Sequence, residues 1–387
     1  MLSSDRYHIV TAEYPPQLGG VSDYTGQLAA GLAQSGKDIH VWTIPCERET
    51  PNTAGVTVHR VVNNWSPQRL RELGERLDQY AAPRLLLVQY CFNSWGRRGL
   101  NFDFGRWLLE RRRKGDEIHM MMHEPFYPWI LRDRPTRWIL AAAQRWMMRT
   151  LLAACSKVYL AIPAYESALR PYEPDGRRPM IWLPIPSNVP VVSNQSAVES
   201  LRRQMGLEDR VIIGSFSIYA EGKQLSKVLP ELLLRHSERV GVFFGRNSDS
   251  FVAAQIAKYP QLKSQLISKG LLSLEEASLH LQLCDLLLQP YYDGVSSRRT
   301  SVMAGISHGR PIVTTKGSAT EPIWSEANCV ALSELSDVRG FIQTAEFLIK
   351  DANARKKLGA AAAQTYRQYF EWSKTLAKLL EVNDQPA

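Results

Sequence analysis

Near the N-terminus, His8-Ile9-Val10-Thr11-Ala12 is followed by Pro15-Pro16-Gln17-Leu18-Gly19-Gly20. Val21, Tyr24, Leu28 and Leu32 come next, then Gly36, then Ile39-His40-Val41-Trp42-Thr43. The first and last runs are short and rich in β-branched and aromatic side chains, as strands are. Apolar residues three and four apart from Val21 to Leu32 predict an amphipathic helix. Gly36 stands where a helix commonly ends on a left-handed residue. Strand, loop, helix and strand in that order form a parallel βαβ unit, because parallel strands need a long crossover.

The same alternation extends outward. Residues 85–88 (Leu-Leu-Leu-Val) read as a strand covered on both faces. Residues 104–113 read as a helix, and 118–122 as a strand ending at His123-Glu124-Pro125; 157–161 read as a further strand. Between 182 and 196, Pro184, Pro186 and Pro190 crowd together with Ser and Asn, the composition of a linker. The alternation then restarts, with strands at 211–216, 240–244, 286–288 and 311–315 and helices at 225–236, 275–284 and 301–308. Two such alternations predict an α/β protein of two doubly wound Rossmann-like domains. The expected boundaries are 1–190, 191–370 and a terminal helix over 371–387. Open parallel sheets bind ligands at the carboxyl ends of their strands, so a ligand is expected in a cleft between the domains.

The formal net charge of +9 invites an anionic partner. Seven of the cations fall between Arg97 and Lys114, at 97, 98, 106 and 111–114, against the acids Asp103 and Glu110. That region reads either as a solvated helix face or as a patch facing anionic lipid or acceptor. Without aromatic residues interleaved in a basic surface motif, nucleic acid is not expected as a partner. Five scattered cysteines (46, 91, 155, 284, 329) with no C-x-x-C pair argue against a disulfide framework and a zinc site. No leader is read at the N-terminus, and the most apolar stretch, 138–163, is broken by Arg145, Arg149 and Lys157. The expectation is a cytoplasmic protein, with room for a peripheral contact with the inner membrane face through 97–114.

The run Tyr14-Pro-Pro-Gln-Leu-Gly-Gly-Val-Ser-Asp-Tyr24 resembles the N-terminus of retaining GT-B glycosyltransferases of family 4. The physics stands beside the name. Gly19 and Gly20 lack a Cβ and let a ligand approach the backbone. The helix behind them offers amides and a positive dipole end, which suits a diphosphate. A tight turn without a ligand is the alternative. The C-terminal half resembles the same family in order and spacing: Lys269-Gly270-Leu271-Leu272-Ser273, Asp285 to Pro290, Asp293-Gly294, Ser301-Val-Met-Ala304, Gly309-Arg-Pro-Ile-Val-Thr314, and Phe370-Glu371-Trp372 opening a last helix. The resemblance implies the GT-B fold, with the last helix crossing back to the N-terminal domain. It also implies a nucleoside-diphosphate sugar as substrate, no cofactor, no metal, and retention at the anomeric carbon. The acceptor class stays open among glycan, lipid-linked and small-molecule acceptors.

Residue by residue, the resemblance puts Asp293 near the donor sugar. The family's second glutamate falls on Ser301, which can make one hydrogen bond to a ribose but not a charge-assisted one. Ser215 stands where the family carries an arginine after a strand, and Lys223 or Lys227 fits the family's lysine. Arg298 and Arg299 are candidates for the missing clamp, since a guanidinium fork suits phosphate. The alternative is one arginine in solvent and one in a salt bridge. His123, ending a strand, corresponds to a histidine that contacts donor sugar or acceptor; packing beside Pro125 and Tyr127 is its structural alternative. Tyr24 and Tyr90 correspond to the acceptor side. Two other readings remain: a GT-B-like interaction subunit without turnover, on the strength of Ser301, and another GT-B enzyme such as a nucleotide-sugar 2-epimerase.

Overall fold

The structure is a computed structural model that describes residues 5–384 apart from 51, 62–63, 130–133 and 220–221. The chain divides into two compact units, 1–184 with 372–387, and 185–371. Each is built on one wholly parallel sheet.

In the first unit the strands are β1 (Arg6–Thr11), β2 (Asp38–Thr43), β3 (Val56–Arg60), β4 (Leu85–Cys91), β5 (Glu117–Glu124), β6 (Lys157–Leu160) and β7 (Met180–Trp182). Their order is β3-β2-β1-β4-β5-β6-β7. The chain builds outward from β1 in one direction and then returns to start again with β4, which makes β1/β4 the switch point. All seven residues of β4 are buried, as its apolar sequence requires. The helix Gly20–Gln34 buries Tyr24, Leu28 and Leu32 on one face, and Gly36 beyond its end has φ +81°. The final helix, Trp372–Asp384, belongs to this unit. A Cβ on Gly31 would fall 2.6 Å from Leu376, and the Trp372 ring lies 5.3 Å from Tyr24. A side chain at 31 would therefore push these two helices apart. Phe370 is not part of the last helix; it closes a π-helical turn, Tyr366–Phe370, one residue before Glu371.

In the second unit the strands are β8 (Val211–Phe216), β9 (Arg239–Phe244), β10 (Leu266–Ser268), β11 (Leu286–Gln289), β12 (Ile312–Lys316) and β13 (Ala331–Glu334). Their order, β10-β9-β8-β11-β12-β13, puts the switch point at β8/β11. No cysteine is paired, and four of the five are buried. Burial holds the Cys155 thiol at about 12 and the Cys329 thiol at about 11.

The basic segment does not form one solvated face. Arg111 is 1% exposed, and its guanidinium meets Asp116 at 2.5 Å and Asp78 at 2.7 Å. Arg84 reaches the other oxygen of Asp116 at 2.6 Å, and Lys114 pairs with Asp78 at 2.8 Å. Arg112 donates to the carbonyl of Ala153. Periodicity could not separate these from their exposed neighbours, because their partners lie on other elements.

His8, on β1, is wholly buried, receives the Trp42 indole at 3.1 Å, and stacks on His40 at 5.4 Å. Burial, reinforced by His40 and Arg6, lowers its pKa to about 3. Unfolded, it titrates near 6.5. Between those values the unfolded chain holds the extra proton, so stability present above pH 6.5 is lost as the pH falls. By pH 5 this one residue should cost about 2 kcal/mol. Urea denaturation at pH 7.5 and pH 5 checks it: His8→Phe, which cannot protonate, should lose less stability on acidification than the wild type.

Candidate active site

The two switch points position nearly every residue singled out in the sequence. At the first, β1 runs into the loop that carries Gly19 and Gly20 at the start of the helix Gly20–Gln34. A Cβ on Gly20 would meet nothing within 4 Å, so the space above it is open. A Cβ on Gly19 would fall 2.2 Å from Glu13 Oε2. The carboxylate of Glu13 thus leans on the positive end of that helix, the position the sequence reading gave to a diphosphate. Glu13 also accepts a hydrogen bond from the Ser94 hydroxyl at 3.2 Å, which ties the loop after β1 to the loop after β4. Arg60, at the end of β3, holds the same loop by donating to the carbonyl of Pro15 at 2.6 Å.

His123 lies near the end of β5, 8% exposed. Its Nε2 is 2.9 Å from Gln89 Oε1 on β4, an acceptor, so Nε2 carries the hydrogen. Its ring meets Tyr24 edge-on at 4.9 Å. Burial lowers its pKa to about 3. The ordinary value near 6.5, which sequence alone suggests, therefore does not apply, and the imidazole is neutral through the working range. Tyr24 and Tyr90 are 1% and 0% exposed. Both are therefore buried at this end of the sheet, Tyr24 against the His123 ring. Tyr90 stacks on Trp95 at 6.4 Å inside the core. Glu124 follows His123, and its carboxylate is 3.9 Å from the Cys91 thiol. Glu13 and Glu124 were not singled out in the sequence, although each stands directly at a strand end.

At the second switch point the loop from β11 to the helix Thr300–Ser307 carries Asp293, Arg298 and Arg299. Both guanidiniums donate to Asp293, one to each carboxylate oxygen. Neither sequence alternative, a free clamp or one paired and one solvated arginine, anticipated a shared carboxylate. Arg299 also lies over Tyr291 and Tyr292, at 5.0 and 5.3 Å. Ser301 Oγ is 2.8 Å from the Tyr291 hydroxyl, and burial pushes that phenol up to about 12. Gly294 has φ +90°, and a Cβ there would fall 2.3 Å from the amide of Gly317 in the loop after β12. Only glycine lets these two loops touch.

The loop is pinned further by Glu321. Its carboxylate accepts from the Ser297 amide at 2.9 Å and from the Trp324 indole at 2.7 Å. Burial raises its pKa, and these bonds oppose the rise. Glu321 lies beyond the strand legible at 311–315, in a loop that no periodicity marks, so the sequence carries no signal for it. Lys223 opens the helix Lys223–Leu233 after β8 and is exposed; Lys227, one turn on, is exposed too. Among the described residues no group of three His, Cys, Asp or Glu side chains could hold a metal ion.

No family model matches the chain, and no curated protein matches it by sequence. Solved structures do match. Sucrose-phosphate synthase from Thermosynechococcus elongatus superposes with a TM-score of 0.73 at 12% identity, covering 98% of both chains. WaaG, a glycosyltransferase involved in lipopolysaccharide biosynthesis, gives 0.69 at 14% identity, over 98% of this chain and 100% of its own. HepE from Anabaena, solved in complex with UDP and glucose, gives 0.71 at 13% identity, over 97% and 99%. At these identities the likeness is one of fold. The chain has the architecture of the GT-B glycosyltransferases, two Rossmann-like domains on parallel sheets of seven and six strands.

Proposed function

We propose that the chain is a retaining glycosyltransferase of family 4 that transfers a sugar from a nucleoside-diphosphate sugar, with no cofactor and no divalent metal. The observation that carries this is the loop after β11, where two arginines converge on Asp293 at the carboxyl end of a parallel sheet. As the bond from the anomeric carbon to the diphosphate breaks, negative charge develops on the leaving oxygen. Arg298, Arg299 and Lys223 supply the compensating charge in this reading, and Asp293 holds the two forks ready. Gly20 leaves room for the donor at the first switch point, and His123 contacts the sugar as a neutral hydrogen-bonding group. Ser301, with its hydroxyl bonded to Tyr291, contributes less to the ribose than an acid would. The glycosyltransferases of similar fold include one bound to UDP and glucose, which makes uridine the first base to test.

A thermal-shift screen against UDP-, GDP-, ADP- and dTDP-sugars in EDTA tests the reading. One donor at about 100 times its Kd should stabilise the protein by roughly 2.7 kcal/mol. Binding that appears only with a divalent ion would overturn the metal-free part. Arg298→Ala and Arg299→Ala should each be made. At least one should weaken donor binding by about 1.5–3 kcal/mol, the scale of a hydrogen bond to a charged group. Calorimetry showing unchanged affinity in both, and in the double variant, would remove the clamp. A second reading, a GT-B chain without turnover, is favoured by the engaged Ser301 hydroxyl.

A further inference from the structure

The helix Pro135–Ala154 buries Gln144, Met147, Met148, Leu151 and Leu152 on one face. Its opposite face is exposed. There Trp138, Ile139 and Trp146 are 39%, 70% and 64% exposed, with Ala142 between them and Arg149 beyond also exposed. Steps of three and four residues align these positions as one stripe along the helix. Trp129, 51% exposed, extends the stripe, with its ring 5.6 Å from Trp138. An exposed apolar strip holding three indoles marks a surface that something covers.

Charge says what covers it. Of the three arginines on the helix, 137 and 149 are exposed, whereas Arg145 is buried with its guanidinium 4.5 Å from the Trp129 ring; the helix carries no acid. Phe102 lies 5.3 Å from Trp146 and ties the stripe to the neighbouring helix Phe102–Arg113. Between the two helices is an open depression of about 690 Å³, lined by Arg97, Arg106, Phe102, Trp146 and Thr150 among others. Arg97 is exposed, and the Arg106 side chain is 74% exposed despite its 3.3 Å pair with Asp103. Indoles prefer the boundary between apolar and polar phases, and arginines beside them meet phosphates. No described helix is long and apolar enough to cross a membrane, so this helix would lie along a surface.

We infer that the outer face of Pro135–Ala154 rests on an anionic lipid surface, with Trp138, Ile139 and Trp146 in the headgroup region and Arg97 and Arg106 on lipid phosphates. The sequence pointed to the basic segment 97–114. The structure shifts the contact to the next helix and keeps only the cations of that segment that border it.

Vesicle co-sedimentation tests this without any donor, so its outcome is separate from that of the transferase reading. The full chain is mixed with vesicles of phosphatidylcholine alone and of phosphatidylcholine with phosphatidylglycerol, at low and high salt. Binding to the anionic vesicles should be roughly tenfold tighter or more, and should weaken with salt. Trp138→Ser/Ile139→Ser/Trp146→Ser should lose on the order of tenfold or more, with circular dichroism unchanged. Arg97→Gln/Arg106→Gln should lose on the order of tenfold on anionic vesicles only. Equal binding to both vesicle types, or a triple variant that binds like wild type, overturns the proposal. So does a wild-type dimer that ignores vesicles and becomes monomeric in the triple variant, since the stripe would then be an interface between copies.

Discussion

His123→Ala is expected to fold, to bind donor within a few-fold of wild type, and to turn over roughly 10²-fold more slowly. The reason lies in where the ring is held. Its Nε2 is committed to Gln89 at 2.9 Å and its ring packs nearly at right angles to Tyr24 with centroids 4.9 Å apart, so the ring is fixed by two neighbouring elements. A fixed neutral dipole is worth most where charge changes during reaction, so the loss should fall on kcat more than on donor KM. Because burial holds the pKa at about 3, wild-type activity should show no inflection near pH 6.5 from this group. Gln89→Leu separates contact from positioning. It frees the ring but leaves the imidazole, and should give a smaller loss than His123→Ala. Turnover of His123→Ala within a few-fold of wild type would make the residue a packing element only.

Asp116→Ala should destabilise the first unit by about 3–5 kcal/mol. The Asp116 side chain is 0% exposed and takes Arg84 on one oxygen and Arg111 on the other, at 2.6 and 2.5 Å. Its removal leaves two guanidiniums in the interior facing each other. Arg111 keeps Asp78, but Arg84 retains only the 3.4 Å contact with the same carboxylate and its bonds to backbone carbonyls. Asp103→Ala is the control: it breaks a pair whose members are 46% and 74% exposed, and should cost under about 1 kcal/mol. Hydrogen exchange within β4 and β5 under increasing urea reads both. A loss below about 1 kcal/mol for Asp116→Ala would mean that water replaces the carboxylate.

The strand-loop-helix-strand at residues 8–43 was legible because both periodicities are local. The apolar runs of β4 and β11 were legible because parallel strands are covered on two faces. Much else was not. β3, with a mostly half-buried pattern, and the three-residue strands β7 and β10 carry too little apolar signal. The helix Pro135–Ala154 was seen only as an apolar stretch interrupted by cations, since an exposed face of Trp, Ile and Ala blurs the expected polar side. Within the candidate site, the family resemblance pointed to Asp293, Arg298 and Arg299 but not to one carboxylate holding both arginines. That depends on how a ten-residue loop folds back, which Glu321 and Gly294 decide from outside any periodic pattern. Burial is likewise a tertiary property. It places Tyr24 and Tyr90, which the resemblance assigned to the acceptor side, inside the first unit, and it moves His123 far from its ordinary pKa.

Release of nucleoside diphosphate tests the central claim most directly. The donor that stabilises the chain is incubated with it in EDTA, and free nucleoside diphosphate is measured by anion-exchange chromatography. With acceptor extract present, or more slowly with water as acceptor, the wild type should accumulate nucleoside diphosphate catalytically, and His123→Ala should fall roughly 10²-fold behind. A chain that binds the donor yet releases no more than one equivalent under any of these conditions would contradict transferase activity and leave a nucleotide-sugar-binding GT-B protein without turnover.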